Sequence, residues 1–265
     1  MLDFDRESVA ISDGRLSRLR RFNLAMGVIH LVSGVLMVVL GNDFELEVSS
    51  FNLGGPPGTP LTDGTLDSVV GVPLAWATAS FLFLSALFHF VIATVGFRAY
   101  GSELRHGRNR FRWVEYALSS TLMIVLIALV TGITDLAALI AIAFVNASMI
   151  LFGWIMEMVN DADRPVWWTP FWFGTIAGIG PWVAIAAYLV VNISLEDGEG
   201  PPGFVYGIIV TIFVLFNIFA INQWLQYRRV GRWADYAYGE TVYIVLSLVA
   251  KSVLAWQIFA NTLID

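Results

Sequence analysis

The sequence predicts an all-α membrane protein, a seven-transmembrane-helix bundle with a cytoplasmic N-terminus and a short β-hairpin in its first extracellular loop. Three observations predict it. The 265 residues are 57% hydrophobic and 14% charged, with a mean hydropathy of +0.72, whereas a soluble domain carries about 25% charged residues. The apolar residues fall into seven blocks, each about long enough to cross a bilayer as a helix of ~20 residues. The basic residues all but avoid those blocks and every second connection between them. This composition excludes a disordered chain, a nucleic-acid binder and most soluble enzymes.

The spans are expected at Phe22–Leu40, Val70–Phe97, Trp113–Thr131, Leu136–Met158, Trp168–Val191, Phe204–Tyr227 and Gly239–Leu263. They fill most of residues 1–265, which leaves a single membrane domain without a second folded unit. Residues 1–21 form a polar N-terminal segment without the apolar core and cleavage site of a signal peptide, so span 1 is expected to act as its own insertion signal. Between spans 1 and 2, residues 42–68 make the longest outer loop. Its Phe44-Glu-Leu-Glu-Val48 alternation, followed by Gly54-Gly-Pro-Pro-Gly58, reads as a hairpin. A loop of that length usually has a role, here a lid or a dimer contact. The Gly132-Ile-Thr134 turn makes spans 3 and 4 antiparallel neighbours, and Gly174-Thr-Ile-Ala-Gly178 in span 5 suits close helix packing. Trp76, Trp167, Trp168, Trp224 and Trp233 sit near span ends, as interfacial anchors do. Trp182 and Trp256 read as the deep ones.

Fourteen arginines account for all but one of the 15 basic residues. Arg6, Arg15, Arg18, Arg20 and Arg21 precede span 1, and Arg98, Arg105, Arg108, Arg110 and Arg112 lie between spans 2 and 3. Arg164 follows span 4, while Arg228, Arg229 and Arg232 follow span 6. With seven spans, all these segments share one face, which the positive-inside rule makes cytoplasmic. The C-terminus is then extracellular. The opposite loops carry acids only: Asp43, Glu45, Glu47, Asp63, Asp67, Asp135, Glu196, Asp197 and Glu199. No cysteine is present, so disulfides, thiolate metal sites and S-palmitoylation are out. No phosphate loop, zinc spacing or nucleophile elbow occurs, and nothing suggests an enzyme.

The fifteenth basic residue is Lys251, the sole lysine, near the centre of span 7. A lone ammonium there costs at least ~2.5–3.5 kcal/mol. His30 in span 1, His89 in span 2 and Glu115 in span 3 all lie in the arginine-side half, with Lys251 at their outer limit. Ser247 is one turn before Lys251, and Ser85 one turn from His89. Together they read as one polar compartment. Opposite charges ~4 Å apart at an effective dielectric near 20 attract by about 4 kcal/mol, so Glu115 is the natural partner of Lys251. Glu115 could instead pair with Arg112, three residues away on the same face, and each histidine could be a packing residue. A lysine is a costly structural choice but a useful one for Schiff-base chemistry.

These residues resemble a family. Leu84-Ser-Ala-Leu-Phe-His89-Phe, Phe111-Arg-Trp-Val-Glu115-Tyr, Asn146-Ala-Ser-Met-Ile-Leu-Phe-Gly153-Trp, Pro202-Gly-Phe-Val-Tyr-Gly207 and Tyr243-Ile-Val-Leu-Ser-Leu-Val-Ala-Lys251-Ser are similar to segments of heliorhodopsins, in order and over nearly the whole chain. The arginine-derived orientation agrees, since that family has a cytoplasmic N-terminus. The resemblance implies all-trans retinal bound to Lys251 as a protonated Schiff base, with Glu115 as counterion. Ser247, Ser85, His30 and His89 would form the polar cluster beside it. Tyr116, Asn146, Met149, Ile150, Gly153, Trp182 and Phe216 would line the polyene and ring. It implies a homodimer that uses the first outer loop. Where proton pumps of the wider class carry further carboxylates, this chain has Leu126 and Ser247. The expected function is therefore light sensing through a slow photocycle without net ion transport, signalling to an unidentified cytoplasmic protein. The rival reading is a transporter or channel that uses the Lys251–Glu115 pair as a substrate or proton site.

Overall fold

The computed structural model describes residues 11–160, 164–195 and 201–264. Arg6, the outer acids Glu196, Asp197 and Glu199, and the C-terminal residue lie outside them. Among the described residues, seven helices are long and apolar enough to cross a membrane. They are α1 (Asp13–Leu40), α2 (Leu74–Ala93), α4 (Arg110–Val130), α5 (Leu136–Val159), α6 (Thr169–Leu195), α7 (Gly203–Tyr227) and α8 (Tyr236–Ile258), the last continuing as a π-helical turn, Phe259–Leu263. A short helix, α3 (Phe97–Arg105), lies between α2 and α4.

The boundaries depart from the hydropathy blocks at the start of the first span and at both ends of the second. The first helix starts nine residues early, at Asp13. Its polar first turns are held by Leu16 and Leu19, which pack with Ile11, Tyr100, Leu104 and Ala237 into a small core at the arginine-rich end. Apolar run length cannot register a helix that continues beyond the bilayer on one buried stripe. The second span begins late because Val70–Pro73 belongs to a strand, not a helix. It also ends early, and Phe97 opens α3.

The hairpin is present. Strand β1 (Glu45–Asn52) pairs antiparallel with β2 (Thr65–Pro73), with a register shift between Val48 and Ser49. Gly54 and Gly58 in its connection take the positive φ that favours glycine. The hairpin is pinned to the α4–α5 turn. The Ser49 amide donates to the Thr134 carbonyl at 2.9 Å, and the two hydroxyls lie 2.8 Å apart. Gly132 gives that turn its positive φ.

The helices form a ring in which α1 packs on α2, α2 on α4, α4 on α5, α5 on α6, α7 on α8 and α8 on α1. Close approach of α5 and α6 is set by the small residues of α6: a Cβ at Gly174 would sit 3.2 Å from Cβ of Phe152, and one at Gly178 2.5 Å from Sδ of Met149. The main core fills the hairpin half of the bundle, built from Met37, Phe81, Leu82, Met123, Ile127 and Leu254 with their neighbours. Polar side chains gather in the other half, toward the arginines. Among the described tryptophans Trp113 is the buried one, at 4% exposure. Trp113 turns inward because its indole nitrogen has a buried acceptor, Glu157, at 2.6 Å.

Candidate functional site

Lys251 sits on the inner face of α8 with 3% of its surface exposed. Its Nζ donates to Oε1 of Glu115 at 2.9 Å and to Oγ of Ser247 at 2.6 Å. The Ser247 contact follows from helix geometry, since residues four apart share a face. Glu115, on the first turns of α4, also accepts from Ser85 Oγ at 2.7 Å. One carboxylate oxygen thus receives a charged and a neutral donor, from α8 and α2. Arg112 does not compete for Glu115; its ion pairs go to Glu157 and Glu240.

The two histidines face one another in a parallel stack, ring centres 5.5 Å apart and planes 13° from parallel. Nδ1 of His89 lies 2.7 Å from Oδ1 of Asn23 on α1. His30 is fully buried, and its ring nitrogens make no hydrogen bond to a described protein atom. So Ser247 and Ser85 touch the ion pair directly, whereas His30 and His89 lie beyond it in the same half of the bundle.

Two cavities meet at the ion pair. The larger lies between α4, α5, α6, α7 and α8. Its wall is mostly apolar and aromatic and includes Trp113, Tyr116, Phe171, Phe216, Phe219 and Tyr243, with Lys251 on the wall. Gly153 is required there, because a Cβ would collide with the Trp113 ring. The smaller cavity lies toward the arginine-rich end and carries more polar side chains; Glu115, His89, Asn23, Asn109, Arg112 and Glu240 are on its wall. Tyr116, Tyr243 and Ser247 line both cavities and form the partition. The bond from Lys251 to Glu115 crosses that partition.

Of the residues the sequence placed along an elongated ligand, Tyr116, Met149, Ile150, Gly153 and Phe216 are on the wall of the large cavity. Asn146 and Trp182 are not; each stands behind a wall residue. The Asn146 amide donates to Ser120 Oγ at 2.9 Å and Thr121 Oγ1 at 3.0 Å. Trp182 meets Phe216 edge to face at 5.7 Å. Both positions have the correct helical face but lie one layer out.

Sequence reasoning missed Asn23, Asn109, Arg112, Glu157 and Glu240. The guanidinium of Arg112 bridges the two acids and stacks on Tyr243 and Trp113, at 4.0 and 4.7 Å from the ring centres. One signal could have found them. Glu240, Tyr243, Ser247 and Lys251 fall on one stripe of α8 by helical spacing, and an acid on the stripe of the sole lysine invites a partner.

The profile of the heliorhodopsin family matches residues 19–263. The chain belongs to the heliorhodopsin family. No curated protein matches it significantly in sequence. Among solved structures it is similar in fold to xanthorhodopsin, a light-driven ion pump with dual chromophore, with a TM-score of 0.66 and 16% identity over 96% of this chain and 95% of that one. It is also similar to the light-driven proton pump LR (Mac) of Leptosphaeria maculans, with a TM-score of 0.61 and 17% identity over 96% and 97%. The transmembrane domain and linker of the Salpingoeca rosetta rhodopsin phosphodiesterase gives a TM-score of 0.64 and 14% identity over 93% and 71%. At such identities these structures speak for the fold. Family membership makes this heliorhodopsin a retinal-binding, photoactive membrane protein, its cofactor held through a lysine Schiff base. The large cavity fits such a group: it is lined by rings and served by one buried amine.

Proposed function

We propose that this chain is a light sensor in which Lys251 carries all-trans retinal as a protonated Schiff base and Glu115 is the counterion. The observation that carries this reading is the position of Lys251 Nζ, on the wall of the apolar cavity and 2.9 Å from a buried carboxylate. When bound, retinal supplies a visible absorption band and a light-driven isomerisation. The chain supplies the rest. Glu115 and Ser247 hold the charge at Nζ in a low-dielectric site, where an opposite charge at this range is worth about 4 kcal/mol or more. Tyr116 and Tyr243 fix the partition, the Tyr116 hydroxyl donating to the Tyr243 carbonyl at 2.9 Å. Gly153, Met149, Ile150, Phe216 and Phe219 shape the wall and exclude water.

The sensory, non-pumping role rests on where acids are absent. Among the described residues, the buried carboxylates are Glu115, Glu157 and Glu240, all on the arginine-rich side of Lys251. A proton that leaves the amine has acceptors on that side alone, so it departs and returns by one face and no net ion crosses. The arginines make that face cytoplasmic, and the changing charge there is the signal offered to a cytoplasmic partner. The hairpin, with Phe51, Leu66, Val69 and Val70 exposed, provides the extracellular face of a homodimer.

Purified apoprotein mixed with all-trans retinal tests the reading. A visible band is expected, bleached by hydroxylamine in light and absent in Lys251→Ala. Glu115→Gln shifts the band strongly to the red or discharges the nitrogen. Colour that forms equally well in Lys251→Ala would overturn the assignment. Illuminated sealed vesicles should show no sustained, uncoupler-sensitive pH gradient; a gradient would refute the non-pumping role and leave the retinal site standing.

A further inference from the structure

Glu157, Glu240 and Arg112 form a buried cluster of two carboxylates and one guanidinium, exposed by 2%, 1% and 5%. Its formal charge is −1. A net charge held away from water is costly unless a proton or a further cation joins it. Other titratable groups face it from every side: Tyr236 and Tyr243 on α8, Tyr116 on α4 and Tyr227 on α7, with Glu115, His89 on α2 and Tyr100 on α3 across the small cavity. None of these is a second fixed cation at the cluster. Arg112 is shared, one nitrogen to each acid.

The two carboxylates differ. A carboxylate has about four acceptor positions. Those of Glu157 are all taken. Oε1 accepts from Arg112 Nη2 and from the Tyr236 hydroxyl at 3.2 Å, and Oε2 accepts from the Asn109 amide at 2.9 Å and from Trp113 Nε1 at 2.6 Å. A proton has no place to sit on it. Glu240 has the Arg112 ion pair on Oε1 and the Asn109 side-chain amide, at 2.8 Å, on Oε2. Room for a proton remains there. Glu240 also lies on the wall of the small cavity with Glu115, His89 and Ser247, whereas Glu157 does not. It shares the α8 stripe that carries Ser247 and Lys251. On its other side, Asn109 caps α4 through its own side chain, which accepts from the Arg112 amide, and is followed by exposed Arg110.

The geometry points to Glu240 as a proton-exchanging carboxyl, with Glu157 as the fixed charge that holds Arg112. Glu240 takes up a proton from the compartment beside Lys251 and becomes a neutral carboxyl, which brings the cluster from −1 to zero. It then releases the proton past Asn109 to the arginine-rich face. The light-driven half of this rests on Lys251 being the retinal lysine; the binding of a proton at Glu240 does not.

Two measurements test the halves separately. The first is an infrared pH titration of the protein in the dark, with and without retinal, on wild type, Glu240→Gln, Glu240→Asp and Glu157→Gln. A protonated-carboxyl band is expected that titrates, vanishes in Glu240→Gln, moves but survives in Glu240→Asp and persists in Glu157→Gln. A band that survives Glu240→Gln, or no titrating band, overturns the proposal whether or not the chain forms a pigment. The second is flash photolysis of the pigment. Return of the deprotonated state should slow by roughly 10²-fold in Glu240→Gln, the low end for loss of a positioned proton carrier, and recover in Glu240→Asp. Unchanged return kinetics at every pH would refute the exchange step while leaving the retinal site intact. Failure of any colour with normal dark titration would refute the Lys251 reading alone.

Discussion

Among the described residues two cations are buried, Arg112 and Lys251, and they are treated differently. Arg112 is clamped: both terminal nitrogens engage carboxylates, and its plane lies over Tyr243 and Trp113. Lys251 has two partners, Glu115 and Ser247, and its Nζ stands 5.2 Å from the Tyr116 ring centre at the edge of a large cavity. A planar guanidinium with fixed forks suits a permanent ion cluster, whereas a primary amine is a nucleophile that can form an imine with an aldehyde. One cation holds helices together. The other is positioned for chemistry, with a counter-charge that can be separated from it.

The sharpest way to break this comparison is Lys251→Arg. It keeps a positive charge opposite Glu115 but removes the amine. Complete loss of colour is expected with all-trans retinal, while the protein still elutes as a folded species with unchanged helicity. A coloured Lys251→Arg protein would show that the charge, not the amine, matters. The reverse holds at the other centre. Arg112→Ala leaves two buried carboxylates without their cation, and such a loss typically costs about 3–5 kcal/mol. A thermal denaturation midpoint lowered well below that of wild type is expected, with the visible band retained in whatever fraction stays folded. A stable Arg112→Ala protein would mean that protons replace the guanidinium without cost, which would assign the cluster a purely titrating role.

This asymmetry explains what the sequence disclosed. Seven spans, the hairpin and the arginine-rich face were legible because hydropathy and charge are local properties. Lys251 and Glu115 were legible because each is an ionisable residue inside an apolar block, where its cost demands a reason. Ser85 and Ser247 followed from one-turn spacing. Arg112, Glu157 and Glu240 sit at span ends, where charged residues are ordinary; only the α8 stripe that Glu240 shares with Lys251 hints at burial, and the packing of α4, α5 and α8 brings the three together. Asn146 and Trp182 stand off the cavity wall for a related reason. Helical periodicity assigns a face, but how far a side chain reaches depends on what stands before it, here Ser120 and Phe216.

A smaller perturbation sharpens the Lys251 centre. Ser247→Ala removes a donor–acceptor partner 2.6 Å from the amine without touching the charges. Hydrogen bonds to charged groups contribute about 1.5–3 kcal/mol. The variant should therefore form pigment with a shifted band and unfold at somewhat lower denaturant concentration. An unaltered band would show that Glu115 alone holds the charge at Nζ.

The smallest expected effect concerns a third way to bury a titratable group. Tyr100, on α3 at the arginine-rich end, lines the small cavity as a buried neutral phenol. Burial pushes its phenol up to about 12 from an ordinary value of 10, outweighing the opposite pull of Asn23 and Arg112. It stays neutral in the fold while the unfolded chain ionises. The stabilisation of the neutral form is fully present below pH 10 and is lost as pH rises through 12, because between those values the unfolded state binds fewer protons. By pH 11 the loss amounts to about 1.4 kcal/mol. Tyr100→Phe keeps the ring in its core among Leu16, Leu19 and Leu104 and removes the titration, so the fall in stability between pH 10 and 12 should flatten by that amount. If the slope is unchanged, the alkaline loss belongs to the charged centres, and burial of a neutral phenol is not the third mode it is taken to be.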